Sequence, residues 1–279
     1  MSISTRNTGQ DWWSTAIVDM APGTIRFRGY AIEELIGTVD FPGMIWLMLR
    51  GELPKAAEAE LLGTALMAGV DHGPQAPSIA IARMASTCGI GINNAMASAT
   101  NVLGDVHGGA GEQCVALFEA IAARLEGGEA LCDAVPTALD LLAEAGMRYV
   151  PGYGHRFHPV DPRAPALMAI LRRHEVSGTV RARFADIAEA VGAEISRRKG
   201  RTIPLNIDGA TGAIYAALGF PAPLCRGLFV LSRSVGAMAH AWEEMQQPHR
   251  NKGPLPRHWI PAYTGVPPRP VPGNRQAGS

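Results

Sequence analysis

The chain has 279 residues, 47% hydrophobic and 18% charged, which suits one large domain or two modest ones around a sizeable buried core. Lysine plus arginine and aspartate plus glutamate balance at 25 each. No net field therefore selects for nucleic acid or an anionic membrane, and any anionic ligand has to be held by local arginines. Cys88, Cys114, Cys132 and Cys225 show no paired spacing, which points to reduced thiols rather than a disulfide framework. The opening "MSISTRNTGQDWWST" lacks the apolar core of a signal peptide and no apolar run reaches membrane-spanning length, so a cytoplasmic protein is expected.

The first regular element is short and extended. Across residues 24–30, Ile25 and Phe27 alternate with Arg26 and Arg28, as on a two-sided strand. Strand signal is scarce after that. Residues 54–67, "PKAAEAELLGTALM", place a proline at a helix start ahead of strong helix formers. Residues 78–103 are dense in alanine, isoleucine and methionine, as in a buried helix or helix pair. Val115, Phe118, Ala122 and Leu125 recur at helical spacing, as do Leu139, Leu142 and Ala145. Two more helices are expected over residues 164–173 and 180–199.

The clearest helix comes late: Leu224, Leu228, Leu231, Val235, Met238, Trp242 and Met245 trace one apolar stripe. Arg226, Arg233 and His240 fall on its other side among Gly, Ala and Ser. That side suits either a solvated face or a closely packed one with an arginine aimed into a cleft. From Pro248 the chain is rich in Pro and Gly and is expected to be extended. The fold class read here is all-α with one minor extended element.

Four stretches set ionisable groups beside glycine, which allows a sharp backbone turn and close approach of a ligand. They are "VDHGP" with Asp71 and His72, "GDVHGGAGE" with Asp105 and His107, "VPGYGHRFHPVDPR" with His155 and Arg163, and "LNIDGATG" with Asp208. A lone histidine is more often structural than catalytic, but four such settings together favour a site. On spacing alone, His72, His107, His155 and Asp208 serve equally as a metal-ligand set.

The order of these motifs resembles the citrate synthase superfamily over residues 24–265. "TIRFRGYAIEELIG" and "LMLRGELP" resemble its opening hairpin and first helices, "DVHGGAGE" its glycine-flanked catalytic histidine, and "GYGHRFHPVDPR" its second histidine loop. "LNIDGATGAIYAALG" is similar to its aspartate segment and "FVLSRSVGAMAHAWEEM" to its late helix with a carboxylate-binding arginine. "VDHGP", "LNIDG", "FVLSRS" and "RHW" are closer to the citryl-CoA lyase branch, the module that also ends ATP-citrate lyases; the short length suits that branch too. The pattern departs in two places. Leu255 precedes Pro256 where synthases usually carry an arginine, leaving Arg257 for that role, and Gly111 stands where many synthases have asparagine.

The resemblance implies a citrate synthase-like fold with a large domain (1–110 and 205–279, the latter with a C-terminal arm), a small helical domain (111–204) and a minor N-terminal β-hairpin. It implies making or breaking the carbon–carbon bond of citryl-CoA from acetyl-CoA and oxaloacetate, with no cofactor beyond the coenzyme A thioester substrate. His107, His155 and Asp208 become the catalytic groups. Arg163, Arg233, His72 and a partner subunit's Arg257 become the oxaloacetate contacts, and Gly152, Tyr153, Gly154, Arg156 and Lys199 the coenzyme A contacts. A homodimer or higher homo-oligomer follows, without nucleic acid or membrane. Citrate or 2-methylcitrate synthase is the alternative, with a metal-dependent lyase or a non-catalytic acyl-CoA-binding regulator further off.

Overall fold

Residues 12–155, 159–256 and 258–271 are described in the structure, a computed structural model. Arg156 and Arg257 lie outside them. The chain opens with an antiparallel meander, β1 (Val18–Ala21), β2 (Thr24–Phe27) and β3 (Tyr30–Ala31), in the order β1-β2-β3. The expected hairpin is there, with Val18 opposite Phe27, and a two-residue third strand extends it.

Helices follow as α1 (Ile32–Leu35), α2 (Phe41–Arg50), α3 (Ala56–Ala68), α4 (Pro77–Ser86) and α5 (Ile92–Asn101). They continue as α6 (Ala110–Glu126), α7 (Leu131–Glu144), α8 (Arg163–Val176), α9 (Phe184–Lys199), α10 (Ile207–Ala217) and α11 (Ala222–Met245). Local chemistry sets several boundaries. Asp40 caps α2 by accepting from the Gly43 N–H at 2.8 Å, and Gly51 in the left-handed region ends it. Glu58 reaches back to the Lys55 N–H at 2.7 Å to start α3. The apolar run over 78–103 is a pair, α4 and α5, divided by a turn with Gly89 at φ +80°. The helix expected from residue 180 begins only at Phe184, because Arg181 N–H is drawn to Ala217 C=O at 3.1 Å and Arg183 takes a left-handed turn.

α10 is the central helix, and every residue from Gly209 to Ala217 is buried. Its Ala and Gly residues let α6, α8 and α9 approach closely. One large cluster joins α2, α3 and α6 to α11 around Phe118, Phe184, Phe220, Ile187 and Leu228, and so runs through all three stretches assigned to the two domains. Each such side chain contributes roughly 1.5–3 kcal/mol by leaving water. A second, thinner cluster ties α4, α5 and α11 through Ala82, Ala95, Ala99, Ala237 and Ala241.

α11 reverses the obvious reading of its stripe. Leu228 is buried, but Leu231, Val235, Met238 and Trp242 are exposed, while Ser232, Arg233, Gly236, Ala237 and Ala241 face inward. The small-residue side is therefore the packed one, and Arg233 points into the cleft. Gly236 makes this possible: a Cβ there would collide with the Val70 carbonyl. The Pro-rich tail is anchored where it leaves α11. Buried Glu244 accepts from His249 Nδ1 at 2.6 Å and Lys252 Nζ at 2.9 Å, and Lys252 N–H donates to Thr87 Oγ1 at 2.9 Å. Burial alone would raise the Glu244 carboxyl, but the bonds from Lys252 and His249 and the charge of Arg83 outweigh it and bring it down to about 2.

Candidate active site

Asp208 is the second residue of α10. Asn206 caps this helix, its side-chain oxygen accepting from Asp208 N–H at 2.9 Å and Gly209 N–H at 3.2 Å. The cap satisfies these backbone donors and leaves the Asp208 carboxylate without them. Burial pushes its pKa above the ordinary carboxylate value, Asp161 adds to the rise, and Arg233 and Arg163 oppose it. Asp208 and Arg233 line one small cavity of about 20 Å³, together with Gly111, Thr211 and Phe229.

Arg233 is 6% exposed. Its guanidinium lies 4.9 Å over the Phe229 ring and 3.4 Å from the Gly69 carbonyl. Among the described residues no carboxylate comes within ion-pair distance of it. Burial lowers its pKa, countered by Asp208 and Asp71. A buried arginine so placed calls for an anion from outside the chain.

The "GYGHR" loop reaches Asp208 through glycine. Gly152 has φ +82°, and a Cβ there would sit 2.7 Å from both Cys114 Sγ and Gly209 Cα. Its carbonyl accepts from Asn206 N–H at 3.0 Å, Gly154 N–H donates to Pro204 C=O at 2.7 Å, and Asn206 Nδ2 donates to Gly154 C=O at 2.7 Å. Gly152 thus serves close approach and Gly154, at φ +80°, serves the turn, and the segment is laid against residues 204–206. Tyr153 points the other way, its hydroxyl donating to Ala188 C=O at 2.7 Å, so only its backbone is left for a ligand.

Beyond this segment the His155 side chain is 7% exposed, edge-on to His72 with ring centroids 5.3 Å apart. His72 has its pKa lowered by partial burial and by the charges of Arg163, His155 and Arg233. It is neutral at pH 7 and suits hydrogen bonding more than charge pairing. Arg163, the first residue of α8, grips Asp161 with Nε at 3.0 Å and Nη2 at 2.9 Å. Its fork is already committed, which leaves the Nη1 side, 3.5 Å from Ala68 C=O, as the edge open to an anion.

His107 comes from the tight turn between α5 and α6. Its Nε2 accepts from the backbone N–H of Ser78 at 3.1 Å and lies 3.0 Å from the Ser78 hydroxyl. A backbone N–H can only donate, so the ring is neutral and carries its proton on Nδ1. The turn abuts the arginine's platform, since a Cβ at Gly108 would stand 3.1 Å from the Phe229 ring. Arg226 braces the same turn from α11 by pairing with Asp105 at 2.5 Å and with Glu112.

The structure thus gathers His72, His155, Arg163, Asp208 and Arg233 at one place and links the His107 turn to it through Phe229. Lys199 is exposed at the end of α9, where its neighbours Arg197 and Arg198 pair with Glu194 at 2.7 Å as a solvated helix end does. Sequence reasoning passed over Asp161, Ser78, Asn206 and Phe229. Asn206 and Ser78 had a readable signal, each a cap-type residue at a helix start. Among the described residues no group of three or more His, Cys, Asp or Glu is arranged to hold a metal ion, and His107 in particular is engaged with Ser78.

The family model described as "Citrate synthase, C-terminal domain" matches residues 4–66 and 55–257. The chain belongs to the citrate synthase family. Within it, a solved citryl-CoA lyase from Hydrogenobacter thermophilus is 33% identical with a TM-score of 0.80, covering 94% of this chain and 98% of that one. The citrate synthase of Saccharolobus solfataricus is 30% identical over 75% of this chain and 54% of its own length. That of Acidithiobacillus ferridurans is 27% identical over 73% of this chain and 51% of its own. The chain spans about half the length of the curated relatives it matches. The ATP citrate lyase structure from Methanothrix soehngenii, at 19% identity and a TM-score of 0.73 over 96% of this chain and 46% of that one, shares the fold. The citrate synthase family architecture expected from the motifs is therefore present. No described helix is long and apolar enough to cross a membrane.

Proposed function

We propose that this chain splits citryl-CoA into acetyl-CoA and oxaloacetate, and runs the same carbon–carbon step in reverse. The observation that carries the reading is a buried Arg233, with no described carboxylate within ion-pair distance, lining one cavity with an Asp208 carboxyl raised by burial. Arg233 suits a substrate carboxylate, and an acid held above its usual pKa suits proton exchange with carbon. Support for a lyase over a synthase comes from the likeness to the Hydrogenobacter citryl-CoA lyase, which spans both chains nearly end to end.

In cleavage, His155 takes the proton of the citryl tertiary hydroxyl. The bond between that carbon and the thioester's methylene then breaks, its electrons forming the enol or enolate of acetyl-CoA while the alcohol carbon becomes the keto group of oxaloacetate. The Nδ1–H of His107 donates to the thioester oxygen as charge grows there. Asp208, protonated for this direction, delivers its proton to the methylene and leaves a methyl group. Arg163, Arg233 and His72 hold the oxaloacetate carboxylates. Coenzyme A contacts at Gly152, Tyr153, Gly154, Arg156 and Lys199, and a partner's Arg257, belong to the same proposal.

Citrate or 2-methylcitrate synthase is the second reading, favoured by curated relatives with those names at about 30% identity. A synthase also hydrolyses the citryl thioester. With (3S)-citryl-CoA supplied, oxaloacetate release read by malate dehydrogenase is expected to outrun thiol release on the same sample. Thiol appearing at the faster rate, or rapidly from acetyl-CoA plus oxaloacetate, makes the chain a synthase.

The exposed face of α11 supports a second copy as partner. Leu231, Val235, Met238 and Trp242 lie at i, i+4, i+7 and i+11, so they form one apolar strip on the outside of the thin α4–α5–α11 layer. A two-fold axis across such a strip covers it with itself, and a net charge of zero offers no repulsion. Changing Val235 and Met238 together to glutamate is expected to convert a dimer to a monomer by light scattering and to lower activity. A wild-type chain that is monomeric and fully active defeats this assignment.

A further inference from the structure

One buried carboxylate links Arg163, His155 and the turn that carries Asp208. Asp161 is 0% exposed and lies in the loop that carries His155. Oδ1 accepts from Arg163 N–H at 3.1 Å and Arg163 Nε at 3.0 Å. Oδ2 accepts from Arg163 Nη2 at 2.9 Å and, far along the chain, from Ile207 N–H at 3.0 Å. The same Oδ2 is 4.0 Å from His155 Nε2. Burial raises the Asp161 carboxyl, but the Arg163 and Ile207 donors outweigh it, so the group is ionised.

One of these bonds is what a helix start ordinarily provides, since an aspartate two residues ahead of the Arg163 N–H acts as a cap worth about 1 kcal/mol. The other contacts go beyond a cap. Ile207 immediately precedes Asp208, so its bond ties the first turn of α10 to the His155 loop. The Arg163 fork is turned inward, which fixes the guanidinium plane and the one edge left for a ligand. A fixed anion also faces the imidazole that gains positive charge when it takes the citryl hydroxyl proton.

We propose that Asp161 is a positioning residue of the carbon–carbon step, which sets the Arg163 plane, anchors the Asp208 turn and stabilises the protonated form of His155. The inference rests on the proposed function for what His155 and Asp208 do. It does not depend on lyase against synthase, because carbon–carbon chemistry is common to both.

The test is Asp161→Asn in the full chain. Asparagine keeps an acceptor for Arg163 and removes the charge. Among the described residues, the titratable groups set beside His155 include Asp161 from its own loop and His72 from the turn after α3, with Arg163 of α8 bound to the same Asp161. Neutralising Asp161 removes the carboxylate 4.0 Å from His155 Nε2 and leaves the Arg163 charge without its anion, so protonation of His155 becomes harder. The acid limb of kcat for the carbon–carbon step is expected to move to lower pH, and kcat at its plateau to fall by roughly tenfold to a hundredfold. An unmoved limb with a wild-type plateau overturns the proposal, as it leaves Asp161 a plain cap. Should the variant not fold, Arg163→Lys decides. It disturbs the fork but keeps both charges, so the limb should stay in place while KM for oxaloacetate rises. A limb that moves in Arg163→Lys overturns the assignment to Asp161. A wild-type chain that hydrolyses citryl-CoA sinks the lyase reading yet leaves the test intact: in condensation His155 enters protonated, so the same shift to lower pH is read on the basic limb.

Discussion

Asp208→Asn is expected to lower kcat for citryl-CoA cleavage by about 10²–10⁴-fold, the usual contribution of a general acid–base group, with oxaloacetate affinity within a few-fold of wild type. Asparagine preserves the shape beside Arg233 but exchanges no proton. Two further consequences follow from the direction of its pKa. Cleavage needs the protonated carboxyl, so wild-type cleavage should quicken as pH falls toward the raised Asp208 pKa, and condensation should slow. Stability is linked to the same shift. A folded-state pKa above the unfolded one means stability is fully present below the unfolded pKa and is lost as pH rises through the folded one. At neutral pH the ionised Asp208 therefore costs stability, and Asp208→Asn should melt no lower than wild type, with any advantage shrinking in acid. Calorimetry at pH 7 and pH 4, beside kinetics over the same range, reads both. A variant that keeps more than about a tenth of the wild-type rate removes Asp208 as the proton carrier. One that melts lower at pH 7 shows that Arg233 needs the negative charge more than burial penalises it.

The same balance explains how much of the site was legible. Asp208, His107 and His155 stand beside glycines, and glycine marks places where the backbone must turn or press close; Gly152 against Gly209 shows why. Arg233 was legible as an arginine among small residues on a helix. Periodicity could not say that those small residues faced inward. A stripe of Leu, Val, Met and Trp signals burial, but it does not distinguish the chain's own core from a surface for a neighbour. On α11 the close-packed side is Gly236, Ala237 and Ala241, which carry almost no hydrophobic signal. Asp161 was hidden for a different reason. A charged residue in a polar loop before Pro162 ordinarily meets water, and only the fold brings Ile207 N–H, 46 residues onward, to its oxygen. Tyr153 shows the same limit from the other side: no local pattern reveals that its hydroxyl is spent on the Ala188 C=O of α9, which leaves its backbone for the coenzyme A contact that the resemblance implies. The start of α9 was missed because Arg181 N–H bonds over a long range to Ala217 C=O and Arg183 turns left-handed, which no local propensity encodes.

The tautomer of His107 makes the second large prediction. The Ser78 backbone N–H donates to Nε2, so Nδ1–H is the only polar hydrogen the ring can offer to a thioester oxygen. A neutral imidazole is the better partner there, because the acidity of its N–H is closer to that of the enol than an imidazolium's is. His107→Asn keeps an amide donor but on a shorter arm. It is expected to lower kcat by about 10²–10³-fold, the cost of losing one donor to a developing oxyanion, with KM for oxaloacetate little changed. Ser78→Ala separates tautomer control from packing. It deletes the hydroxyl at 3.0 Å and keeps the backbone N–H, so the ring retains its proton on Nδ1. Losing one neutral hydrogen bond of about 1 kcal/mol should cost that variant less than about tenfold. Nitrogen-15 shifts of the His107 ring provide the check that rates alone cannot. They should report a neutral, Nδ1-protonated ring in both wild type and Ser78→Ala across the pH range of activity. A ring protonated on both nitrogens at pH 7, or a His107→Asn enzyme within tenfold of wild type, would leave the enolate charge to some other donor and return His107 to a structural role at the α4–α6 junction.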